Sequence, residues 1–171
     1  MYINRFRFFL MTIFFLTLLS SCKTVEYFQQ GSFYRNGSEW DHLRFPLLKP
    51  YFAIYIDDEY GWGIPLEGSP SNRDFYYYIQ LHDVQKIAVE NGVVMVYTPY
   101  KELVDEIVGQ KVLYWFAFVP DQKIEKGFEN EDDFLAYIQQ YGIRQPSWRN
   151  PDDILKEYDD TWCLDWIPTC K

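Results

Sequence analysis

The stretch VQKIAVENGVVMVYT, residues 84–98, decides the fold. Val84–Glu90 and Val93–Thr98 are rich in apolar and β-branched residues, and Asn91-Gly92 lies between them. Asn-Gly supplies the positive φ angles that a two-residue type I′ turn requires, so the stretch is predicted to be a β-hairpin. A hairpin at the middle of the chain makes an antiparallel sheet the expected scaffold for what flanks it.

The segments on either side agree. Upstream, Tyr51–Asp57 alternates, with Phe52, Ile54 and Ile56 on one face and Tyr51, Ala53 and Tyr55 on the other. Trp62–Leu66 reads as a second strand after the Asp57–Gly61 turn, and Phe75–Leu81 as a third, rich in aromatics. Downstream, Lys101–Gly109 places Leu103, Val104, Ile107 and Val108 at helical spacing. Val112–Val119 is an unbroken apolar and aromatic run closed by Pro120, the pattern of a central strand covered on both faces. Asn130 followed by Glu131, Asp132 and Asp133 opens a helix with its acids at the positive end of the dipole, and Gly142 suits its end. Asn150-Pro151 opens another, with Ile154, Leu155 and Tyr158 as its apolar face. Strands followed by helices predict an α+β fold: a mostly antiparallel sheet of about five to six strands with two to three helices, the main ones C-terminal.

Composition narrows the function classes. Aromatics make up 20% of the 171 residues, far too many for a disordered chain. The net charge of −9 opposes general binding to a phosphate backbone, so nucleic acid is not an expected partner.

The N-terminus differs from the rest. Arg5 and Arg7 precede Phe8–Leu19, twelve residues that are apolar except for Thr12 and Thr17. A membrane-spanning helix needs roughly 20. Basic head, short apolar run and small residues describe a secretory signal. The segment closes with Leu19-Ser20-Ser21-Cys22, which resembles the lipobox of bacterial lipoproteins over residues 1–22. The resemblance implies diacylglyceryl transfer to the Cys22 sulfur and cleavage before it. Residues 1–21 are then a signal peptide, 22–38 the lipidated cysteine and a tether, and 39–171 a single globular domain. Each acyl methylene contributes about 0.8 kcal/mol, so two or more chains anchor stably in the bilayer without a transmembrane helix. The expected location is the cell envelope, at the outer membrane or the outer face of the inner membrane. Removing residues 1–21 takes away Arg5 and Arg7 but no acid, so the mature chain carries −11.

Searches for chemistry assign no catalytic residue, metal ligand or cofactor. The nucleophile-elbow, zincin, phosphate-loop and dinucleotide motifs are absent from the sequence. His42 and His82 each lack a neighbouring nucleophile. The acidic groups Asp57-Asp58-Glu59, Glu129–Asp133, Asp152-Asp153 and Asp159-Asp160 lack calcium-loop spacing. Cys163 and Cys170 form a disulfide candidate in an exported chain, with a redox-active pair and two free thiols as alternatives.

The aromatic excess is the remaining signal. Alternation places Tyr76 and Tyr78 on one face, and Trp62, Trp148, Trp162 and Trp166 lie in or beside predicted loops. These six residues are a candidate binding surface, since Tyr and Trp dominate interface hot spots. The leading expectation is a non-enzymatic, membrane-anchored module that binds an envelope protein, by charge a basic one, as an inhibitor or immunity protein would. A carbohydrate-binding accessory lipoprotein and an envelope hydrolase are the alternatives.

Overall fold

The computed structural model describes residues 33–34, 43–66, 80–99 and 112–170. The chain divides into two compact units, Met1–Asn36 and Gly37–Lys171. In the first, the rings of Phe33 and Tyr34 meet edge-on at 5.0 Å.

Among the described residues, eight strands form two antiparallel sheets, each in consecutive order. The first sheet contains β1 (Arg44–Pro46), β2 (Phe52–Asp57), β3 (Gly61–Pro65) and β4 (Gln80–Leu81). The second contains β5 (Lys86–Glu90), β6 (Val93–Tyr97), β7 (Trp115–Val119) and β8 (Ile124–Phe128). Two α-helices follow the last strand, α1 (Glu131–Ile138) and α2 (Pro151–Thr161). The fold is α+β and antiparallel, but with eight strands in two sheets rather than five to six in one.

The hairpin of residues 84–98 is β5–β6, paired from Lys86↔Tyr97 to Glu90↔Val93. Its turn residues Asn91 and Gly92 have φ of 49° and 80°, as a type I′ turn demands. β7 pairs with both β6 and β8, and Phe116, Ala117, Phe118 and Val119 are all buried. Both faces are covered, which explains the unbroken apolar run. On one face Ala88, Val93, Met95, Ala117, Val119 and Phe128 pack beneath Phe134 and Ile138 of α1. On the other, register aligns Val94 with Phe118 and Glu125, and Val96 with Phe116. Tyr51, from the β1–β2 connection, stacks on Phe118 there at 5.0 Å and donates a hydrogen bond to Glu125 at 2.9 Å. That bond gives a polar partner to a carboxyl group only 2% exposed.

β1 and β8 were not expected as strands. β1 is three residues long and ends in proline, which shortens the readable pattern. β8 turns Glu125 inward, so its apolar alternation is broken at the position that faces the core. Of Phe75–Leu81 only Gln80 and Leu81 are described, as β4. The expected helix Lys101–Gly109 lies outside the described residues.

The helices form as their ends dictate. The Asn130 side chain accepts the N–H of Asp133, and Gly142, at φ 77°, closes the 3₁₀ turn that ends α1. The Asn150 side chain accepts the N–H of Asp152, and Pro151 occupies the first helical position of α2. Long-range bonds then fix α2 and its flanks. The Trp62 indole donates to Asp152 at 2.7 Å, Arg149 exchanges backbone bonds with Ile87, and the Trp166 indole donates to the Pro46 carbonyl at 3.1 Å. Cys163 and Cys170 are joined by a disulfide with a Cα separation of 5.5 Å. Closing so short a loop in the unfolded chain stabilises by about 2–3 kcal/mol.

Candidate functional site

The most distinctive surface is the outward face of α2. Its core side carries Ile154 and Tyr158, both buried. Asp152, Asp153, Lys156, Asp159 and Asp160 are exposed. That spacing (i, i+1, i+4, i+7, i+8) lines one face of a 3.6-residue helix. Four carboxylates and one ammonium thus run from Asp152 to Asp160, about 12 Å. Lys156 is tied to Asp160 at 3.1 Å, with both side chains largely in solvent.

Trp162 ends this face. It is 51% exposed and adopts the left-handed conformation at φ 55°, with its N–H donating to Tyr158 O. Left-handed backbone suits glycine and disfavours a bulky side chain by about 1–2 kcal/mol. The indole meets the Tyr158 ring edge-on at 5.7 Å, a contact of about 0.5–1.5 kcal/mol. These two terms roughly cancel, the covered half of the indole adds its own burial, and the other half is left in water. The last turn of α2 contains Asp159 and Asp160 and no basic residue, against the negative end of the helix dipole. Burial, then Asp159, push the Tyr158 phenol above its ordinary pKa, while Arg44 pulls the other way.

At the opposite end the face continues onto the β2–β3 turn. Asp57 accepts the N–H groups of Glu59 and Tyr60, and Gly61 completes the turn with φ 61°. The Tyr55 hydroxyl donates to Asp58 at 2.6 Å. That bond leads the effects that raise the Tyr55 pKa; desolvation and the charges of Asp58, Asp57 and Asp152 follow. Asp152 acts on Tyr55 although 97 residues separate them in sequence, which marks the turn and the α2 N-terminus as one electrostatic neighbourhood. Asp58→Asn should therefore return Tyr55 toward the ordinary tyrosine value near 10. NMR titration of ring-labelled tyrosine reads this directly; an unmoved Tyr55 midpoint would show that Asp58 does not hold it.

The tryptophans singled out from sequence differ in their surroundings. Trp62 is buried against Phe45 and Tyr55, with ring centroids 5.2 and 5.7 Å away. Trp148 packs on Trp115 and Phe134 beside the α1 core. Trp166 is half-buried, with Arg149 over its ring. Those three serve packing, and only Trp162 is strongly exposed. Cys22, His42, Tyr76 and Tyr78 lie outside the described residues. The sequence shows Asp152-Asp153 and Asp159-Asp160 as two acidic pairs, and the spacing of α2 joins them on one face. The left-handed state of Trp162 has no sequence signal.

Among the described residues, no group of three or more His, Cys, Asp or Glu is placed to hold a metal ion. The His82 carbonyl accepts the Thr98 hydroxyl, and its ring lies 5.3 Å from that of Tyr60. Among the described residues, no helix is long and apolar enough to cross a membrane. No family model, curated protein or solved structure matches the chain.

Proposed function

We propose that this protein is a lipid-anchored, non-enzymatic binding module of the cell envelope whose α2 face receives a basic partner protein. The observation that carries the reading is Trp162, an exposed ring held in left-handed backbone at the end of an acidic helix face. Sites held against local backbone preference are where function is expected. An exposed tryptophan is the side chain that most often anchors an interface, and a rim of like charge selects a partner of opposite sign. The mature charge of −11 acts in the same direction at longer range. The lipobox resemblance at Cys22 supports the anchor, and the Cys163–Cys170 disulfide suits an oxidising compartment.

The test uses the mature chain as bait in solubilised envelope. Raising salt from about 0.05 to about 0.5 M shortens the screening length from more than 10 Å to a few Å and should release a basic partner. Trp162→Gly should weaken binding at least about thirtyfold, the equivalent of about 2 kcal/mol at a hot spot. Its unfolding free energy should fall by no more than about 3 kcal/mol, since the relieved backbone offsets the ring contact and leaves the lost burial of half an indole. A partner that survives both salt and Trp162→Gly would sink this assignment of the surface. Sugar-induced quenching of Trp162 that persists in salt would replace the protein partner with a glycan.

A further inference from the structure

The nine residues after α2 hold almost no regular structure of their own. Their internal backbone bonds are Ile167 N–H to Leu164 and Cys170 N–H to Ile167. Yet Leu164 and Ile167 are buried, and Trp166 reaches across to β1. The register of β1 explains what that reach does. Leu43 and Leu47 direct their backbone bonds at Tyr55 and Tyr51 on β2, so Arg44 and Pro46 face the outer edge of the sheet. Pro46 has no N–H, and its carbonyl is taken by the Trp166 indole. The C-terminal segment thus covers the edge strand, a place where an open sheet would otherwise pair with another chain.

Two side chains and one indole bond are a small hold on a segment with so few internal bonds, because each ordered residue loses conformational freedom. The disulfide supplies the rest. It closes the segment on itself, with the Cys170 sulfur 3.9 Å from the carbonyl oxygen of Trp162 and the Thr161 hydroxyl donating to Cys163 O. We propose that the Cys163–Cys170 bond is a redox latch that keeps the C-terminal segment on the β1 edge and sets the position of Trp162. Reduction by a dithiol breaks the S–S bond, places one electron and one proton on each sulfur, and leaves the reductant as its own disulfide. The freed segment then leaves β1 while both sheets remain folded.

Residue-resolved amide exchange on the full chain, oxidised and dithiol-reduced, tests the latch. Exchange at Ile167 and Cys170 should accelerate about tenfold or more on reduction, whereas Met95 and Phe116 in the central strands keep their protection. The double variant Cys163→Ala/Cys170→Ala should reproduce the fast exchange with no reductant present. Unchanged protection at Ile167 and Cys170 after reduction would overturn the proposal. So would a uniform loss across both sheets, which would make the bond a support of the whole fold. None of these readouts needs a partner, so failure of the latch is distinct from failure of the binding reading.

Discussion

Replacing Phe118 with Ala is expected to lower the unfolding free energy by about 3–5 kcal/mol. Phe118 is fully buried in a central strand and stacks on Tyr51. Truncation leaves a cavity between the two sheets and removes the ring that holds the Tyr51 hydroxyl toward Glu125. The Glu125 carboxyl then risks losing a donor at a buried position, which adds to the cost of the cavity. A domain of this size has about 5–15 kcal/mol in total, so the variant should unfold at much lower urea concentration. Denaturation of parent and variant measures it; a loss below about 1 kcal/mol would mean that the sheets do not depend on this contact.

Cys22→Ser should leave the protein as an unlipidated, uncleaved precursor. The expected chemistry needs the thiolate as the acceptor of the diacylglyceryl group, and a serine hydroxyl is a far weaker nucleophile at neutral pH. Labelled fatty acid should mark the parent and leave the variant unmarked, with uncleaved precursor accumulating. Normal processing and labelling of Cys22→Ser would refute the lipoprotein assignment.

What could be read from sequence followed the range of the interactions involved. Asn91-Gly92 specifies its own turn, so the β5–β6 hairpin was legible from two residues. The caps at Asn130 and Asn150 act within three residues and were legible too. β8 was not, because Glu125 sits where an apolar residue is expected and finds Tyr51 74 positions away. Trp62 looked loop-flanking for the same reason: its indole is accepted by Asp152, 90 positions on. Of the candidate surface, the exposure of Trp162 was legible, whereas the burial of Trp148 depends on Trp115 and Phe134 meeting it in space.

The strict order of the strands bears on how the molecule assembles. Among the described residues each strand of the two sheets pairs with its neighbours in sequence, so sheet formation relies on local closures, which cost less entropy than distant ones. The bonds that hold α2 and the C-terminus to the first sheet span 90 and 120 residues. They can form only when the last residues have emerged. In a chain exported N-terminus first, the first sheet would stand ready and incomplete until Trp166 follows it across the membrane. A product truncated before Trp166 would leave the β1 edge bare.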